Sequence, residues 1–181
     1  MIPSVTVGGV RVRFSLLFPA MLALLCSWKQ GELTAWCLLA AVMHECGHLI
    51  VLLLLRHRPQ EIRFSAFGMC LLLENTPLRF RHHLLVSLGG PLVNLLTAGT
   101  LLLCGGNADL IGIHLLLGCF NLLPIWPLDG GQCLPAGKVR TVVSTVCLTV
   151  LSVLSILLIF VGNISLCVVC LYLWSRLYDN G

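Results

Sequence analysis

Apolar residues fall in long, nearly unbroken blocks along this chain, and polar residues fall between the blocks. The blocks lie at about 14–28, 33–55, 84–104, 110–127, 141–161 and 163–175. Roughly 20 apolar residues are needed to cross the hydrocarbon core of a bilayer, so the pattern predicts six membrane-crossing helices, the first and last of them short. Gly162-Asn163 is the one break in the final apolar stretch, so the fifth and sixth helices form a tight hairpin. Residues 60–74 instead alternate weakly around Gly68 and predict a short β-hairpin at the membrane surface. Its edge would suit an extended peptide added as a further strand, and an ordinary surface loop is the simpler alternative. The predicted fold class is an all-α polytopic membrane protein of about six transmembrane helices with that hairpin. It forms a single domain over residues 1–181.

Composition sharpens this picture. The chain has 181 residues, 58% hydrophobic and 10% charged, with mean hydropathy +1.00. Soluble domains carry about 25% charged residues, so little of this chain is built for water. The net charge of +4 is no nucleic-acid signal, because the basic residues flank the apolar blocks and form no patch. Ten cysteines are scattered mostly through apolar segments, without the paired framework of secreted mini-proteins. Cys167-x-x-Cys170 lies in an apolar helix, where packing is favoured over a redox or metal role. Arg11 and Arg13 precede an apolar run, but no small-residue cleavage site follows, so no cleaved signal peptide is expected.

The charges set a topology. With the N-terminus in the cytoplasm, every Lys and Arg except Lys29 falls on the cytoplasmic side, as the positive-inside rule requires. The chain is therefore expected in the cell membrane as a multi-pass protein with both termini cytoplasmic. His48 precedes Arg56 by roughly 12 Å of helix rise, in the inner half of the bilayer.

That depth matters because His44-Glu45-Cys46-Gly47-His48 sits inside the second block. Histidines at i and i+4 share one helix face, and His-Glu-x-x-His is the arrangement in which two imidazoles hold zinc and the glutamate acts as general base. Ionisable groups in hydrocarbon cost about 2.5–3.5 kcal/mol each on insertion scales and normally mark function. Catalytic zinc takes three protein ligands and leaves a fourth position open. Of the other acidic residues, Glu32 and Asp109 lie on the outer side, and Glu61, Glu74 and Asp179 lie in polar segments. Asp129 follows a span at a depth similar to the histidines, within Asn121-Leu122-Leu123-Pro124-Ile125-Trp126-Pro127-Leu128-Asp129-Gly130-Gly131. Its prolines and glycines break the helix, and broken backbone at membrane depth must line protein or a wet cavity. His44, His48 and Asp129 are the expected metal ligands and Glu45 the expected base. A chance motif match, with a structural zinc or none, is the bland alternative.

Together these residues resemble the site-2 protease family of intramembrane zinc metalloproteases. His44-Glu45-x-x-His48 matches its first motif, and residues 121–131 match its Asn-Pro-Asp-Gly region. Leu88-Gly89-Gly90-Pro91-Leu92-Val93-Asn94 resembles a further Gly-Pro-x-x-Asn element. The resemblance covers about residues 33–131, the three-helix catalytic core of that family. Six spans with cytoplasmic ends look most like the branch of the sporulation protease that cleaves pro-sigma-K. No CBS or PDZ domain of the kind carried by relatives is seen, and Gln132 stands where many relatives have Arg. The resemblance implies Zn2+ as cofactor and, as partners, transmembrane or membrane-associated protein substrates, membrane inhibitor proteins and the lipid bilayer. It implies hydrolysis of peptide bonds within or near a substrate's transmembrane segment, releasing a cytosolic factor. A divalent-cation transporter is the alternative, since it too would place His and Asp in spans.

Other polar residues carry two readings each. Asn121 is a candidate for the developing oxyanion or for substrate, or else glue between helices, as is Asn94. His114, on the fourth block, reads first as a hydrogen-bonded packing residue and second as a metal-entry ligand. Gly89-Gly90-Pro91 reads as a close-approach surface between helices.

Overall fold

The computed structural model describes residues 4–7, 10–14, 31–57, 59–65, 68–73, 78–159 and 164–179. Two compact units divide the chain at Leu117 and Gly118.

In the first unit, Val10-Arg11-Val12-Arg13-Phe14 alternates apolar and charged positions with the period of a strand. It forms β2 (Val10–Phe14), paired antiparallel with β1 (Ser4–Val7). β2 also runs parallel beside β3 (Pro59–Ser65), placing Arg11 opposite Glu61 and Phe14 opposite Phe64. β3 pairs antiparallel with β4 (Gly68–Leu73), from Ser65 opposite Gly68 to Pro59 opposite Leu73, with a register shift between Pro59 and Glu61. The result is one four-stranded sheet in the order β1-β2-β3-β4. Arg13 Nε reaches Glu61 Oε2 at 3.5 Å across the parallel pair. The sequence pattern predicted two of these strands as an isolated hairpin. The other two come from the N-terminus through a pairing distant in sequence.

Helix α1 (Gly31–Leu54) and helix α2 (Phe80–Leu103) pack against each other in the same unit. Ala40, His44, Gly47, His48 and Leu52 form the buried stripe of α1, the i, i+4 spacing of one helix face. Its opposite side exposes Leu39, Val42, Ile50, Leu53 and Leu54. Ser87, Gly89, Gly90, Pro91, Asn94 and Ala98 are buried on α2. Small residues on both faces let the backbones approach, the usual device where lipid leaves no hydrophobic drive between helices. Helix α3 (Ala108–Asn121) begins with Asn107 Oδ1 accepting the backbone N–H groups of Asp109 and Leu110.

In the second unit, a one-turn helix α4 (Asp129–Gln132) precedes α5 (Lys138–Ile159) and α6 (Ser165–Asp179). Ile125, Leu148, Cys170, Leu173 and Leu177 form its buried core. Cys170 is thus a packing residue, and Cys167 Sγ lies 3.4 Å from Ser155 Oγ.

Among the described residues, three helices, α1, α2 and α5, are long and apolar enough to cross a membrane. The predicted span at 110–127 ends as a helix at Asn121, because Pro124 and Pro127 cannot continue the backbone ladder. α3 and α6, at 14 and 15 residues, rise only about 21–23 Å against a hydrocarbon core of roughly 30 Å. Six full-length spans are therefore not seen among the described residues. The predicted span at 14–28 lies outside them, apart from Phe14, which closes β2. The Gly162-Asn163 break also lies outside them.

Candidate metal centre

Helical spacing on α1 brings His44 and His48 together, with Nε2 atoms 3.1 Å apart and rings edge-to-face at 82°. Both are buried, at 6% and 8% exposure. The second nitrogen of each ring is held from α2. His48 Nδ1–H donates to the Val86 carbonyl at 2.7 Å, which places the lone pair of the neutral ring on Nε2, the atom suited to a metal. His44 Nδ1 lies 3.1 Å from Asn94 Nδ2, and Asn94 Oδ1 lies 3.2 Å from His114 Nδ1. The sequence element Gly89-Gly90-Pro91 has a local reason here. A Cβ on Gly90 would stand 2.8 Å from His44 Nε2 and 2.7 Å from His48 Cε1. Any side chain there would push into the space the two imidazoles face. Glu45, next in sequence to His44, is half-buried on the flank of the same helix.

Asp129 belongs to the second unit, where it opens α4 and is 9% exposed. The preceding segment folds back on itself. Cβ atoms on Gly130 and Gly131 would strike the backbone of Leu122 and of Ile125, respectively. Only glycine permits so close a return. Ser144 on α5 fixes the bend: its hydroxyl accepts the Trp126 N–H at 3.0 Å and donates to the Pro124 carbonyl at 3.3 Å. Gln132 Nε2 donates to the Pro127 carbonyl at 3.1 Å. The Trp126-Pro127 peptide is cis. Arg140 donates to the Leu134 carbonyl at 2.9 Å and lies over the Trp126 ring at 4.9 Å. Asn121, the last residue of α3, is half-buried.

His44 and His48, in the first unit, are a pair of buried imidazoles able to hold a metal ion, and Asp129, in the second unit, is the carboxylate that the sequence leads one to expect as the third ligand. Two neutral imidazoles and one carboxylate suit zinc, with a fourth position left for water. The buried Nε2 pair and the Nδ1–H bond of His48 fit that role. The sequence pattern offers His44, His48 and Asp129 as ligands and Glu45 as the base. It did not find Val86, whose backbone carbonyl carries no sequence signal, or Ser144, a mid-helix hydroxyl of the kind common in apolar spans. It treated Asn94 as glue and did not connect it to His44.

No protein-family model matches the chain. A proposed zinc metalloprotease of Synechocystis sp. is 37% identical over 122 residues, 59% of this chain. The chain covers 31% of that relative's length, so it spans about a third of the protein it matches. Among solved structures, the Site-2 Protease from Methanocaldococcus jannaschii superposes with a TM-score of 0.65 at 20% identity, over 99% of this chain and 95% of that one. The fold is therefore that of a site-2 protease.

Proposed function

We propose that this chain is an intramembrane zinc metalloprotease of the site-2 type. The observation that carries the reading is the buried His44–His48 pair, with Nε2 atoms 3.1 Å apart and His48 Nδ1 committed to the Val86 carbonyl. The fold likeness and the Synechocystis match support it. In this reading His44, His48 and Asp129 hold the metal. Zinc would supply Lewis acidity and lower the pKa of a water in the fourth position to about 7. Glu45 takes the proton of that water and passes it to the leaving amine. Asn121 binds the developing oxyanion or orients the substrate. The burial of the site calls for a substrate that enters from the bilayer as a transmembrane helix and unwinds before attack. Cutting near the cytoplasmic face would release a cytosolic factor.

The chain would lie in the cell membrane as a multi-pass protein with both termini cytoplasmic, in keeping with its basic residues. Membrane inhibitor proteins and a place beside the pro-sigma-K processing branch belong to the same proposal. Co-expression with candidate single-span substrates tests it. Glu45→Gln keeps size and hydrogen bonding but removes the base, so zinc should remain bound and the fragment should disappear. Cleavage at the wild-type rate by Glu45→Gln would overturn the mechanism. Metal transport persisting in that variant would favour a cation transporter.

A further inference from the structure

Asn94 and His114 are both completely buried, at 0% exposure, on two different helices, α2 and α3. Together with His44 they form a chain of side-chain contacts. His44 Nδ1 to Asn94 Nδ2 is 3.1 Å, and Asn94 Oδ1 to His114 Nδ1 is 3.2 Å. His114 Nε2 has no hydrogen-bond partner among the described residues. A neutral imidazole carries one proton, so these two contacts can be made as hydrogen bonds in only two ways. In the first, His114 Nδ1–H donates to Asn94 Oδ1, Asn94 Nδ2–H donates to His44 Nδ1, and His44 carries its proton on Nε2. That arrangement closes Nε2 to a metal. In the second, His44 carries its proton on Nδ1 and needs an acceptor there. A half-turn of the Asn94 amide supplies the oxygen at the same place, and its N–H then donates to His114 Nδ1, whose proton moves to Nε2. Each imidazole keeps one proton in both arrangements, so the change is a tautomeric exchange with no net charge moved.

We propose that Asn94 and His114 are positioning residues for the metal ligand His44. The Asn94 oxygen takes the His44 Nδ1–H when His44 Nε2 binds the metal, and His114 Nδ1 holds the amide in that orientation. The inference rests on the zinc reading above. His48 already has an acceptor of this kind in the Val86 carbonyl. Asn94 gives His44 the matching one, because metal-bound imidazoles almost always donate their second N–H to a fixed acceptor that orients the ring and raises its basicity. Asparagine is suited to the task because it presents an acceptor one way and a donor the other. His114 Nδ1 can serve either face of it.

Zinc affinity of the purified protein in detergent, read by chelator competition, separates positioning from packing. Asn94→Leu keeps the volume and removes the acceptor, so it should weaken zinc about 10–100-fold. Asn94→Asp keeps an acceptor toward His44 and adds a negative charge opposite the metal, so it should bind zinc at least as well as wild type. A purely structural Asn94 predicts the reverse order, with Leu tolerated and a buried Asp harmful, and that result overturns the proposal. His44→Ala is the control. If it binds zinc like wild type, the metal-site reading itself fails. If it loses zinc while Asn94→Leu does not, only the positioning role fails. Nitrogen-15 spectra of the wild-type imidazoles do not depend on whether any variant folds. On zinc loading they should show His44 protonated at Nδ1 and His114 protonated at Nε2. A His114 proton on Nδ1 in the zinc-loaded protein overturns the proposal.

Discussion

Gly47 and Gly89 lie back to back: a Cβ on Gly47 would stand 2.5 Å from the Gly89 carbonyl oxygen, and a Cβ on Gly89 would stand 2.7 Å from the Gly47 carbonyl oxygen. Both obstacles are backbone, which cannot rotate aside. The contact sits one residue before His48 on α1 and one before Gly90 on α2. It therefore sets the helix separation at the level of the histidine pair.

Gly47→Ala or Gly89→Ala should force α1 and α2 apart. Overpacking of this kind costs about 1–3 kcal/mol. His48 Nδ1 would also lose its 2.7 Å bond to the Val86 carbonyl. The expected outcome is a lowered unfolding midpoint together with weaker zinc retention, measured in the same detergent. Gly112→Ala on α3 is the control, because a Cβ there meets nothing within 4 Å. Equal effects at Gly47 and Gly112 would show that the close contact does not govern the site.

Asp129→Ala should weaken zinc by more than the roughly 10–100-fold expected for loss of a group that only orients a ligand. The carboxylate is the one anionic member of the set and offsets part of the metal's charge in a low-dielectric setting. Equilibrium zinc titration of wild type and variant checks this. Unchanged affinity would mean that the third ligand lies elsewhere.

Ser144→Ala leaves the Trp126 N–H and the Pro124 carbonyl without the hydroxyl that serves both. Unsatisfied buried polar groups cost about 1–3 kcal/mol each. The variant should unfold at lower denaturant and be cut faster by protease in 122–137. Ser152→Ala is the comparison, since that hydroxyl donates to the Leu148 carbonyl of its own helix and also accepts the exposed Trp174 Nε1–H. If both variants are equally mild, Ser144 does not hold the bend.

How far the site could be read from sequence depended on the range of the contacts involved. His44, Glu45 and His48 are fixed by helical periodicity within one element, and Pro124, Pro127, Gly130 and Gly131 announce a broken helix by their own backbone chemistry. The helical reading of α1, α2 and α5 followed from long apolar runs in the same way. The pairing of β2 with β3 was missed because it joins segments about 50 positions apart. The alternation Val10-Arg11-Val12-Arg13-Phe14 carries a strand signal, but its two arginines equally fit a basic flank to an apolar block. The link from His44 through Asn94 to His114 joins three helices, and nothing in the local pattern of any one of them specifies it. The short length of α3 was masked by the apolar residues that continue past its end at Asn121, whereas the last apolar block is short in the sequence itself.

A helix in lipid satisfies its backbone groups internally, and opening it for attack leaves several unpaired until something supplies partners. β4 is an edge of the four-stranded sheet, with β3 as its neighbour. An edge strand offers backbone donors and acceptors to an extended chain, so β4 is the candidate to receive the unwound segment. Gly or Pro within the substrate span lowers the cost of opening by about 1 and 3 kcal/mol relative to a good helix former. Replacing such breakers with Leu should then slow cleavage by about fivefold for Gly and by more than a hundredfold for Pro, while binding persists. Single-turnover cleavage of matched substrates in proteoliposomes, with binding measured separately on Glu45→Gln, reads the two effects apart. A Pro inserted at the centre of β4 should slow cleavage of all substrates alike, because it removes a backbone donor from the receiving strand. Breaker-free substrates cut as fast as breaker-containing ones would show that unwinding does not limit the reaction. Full activity with the β4 proline would place the receiving surface elsewhere.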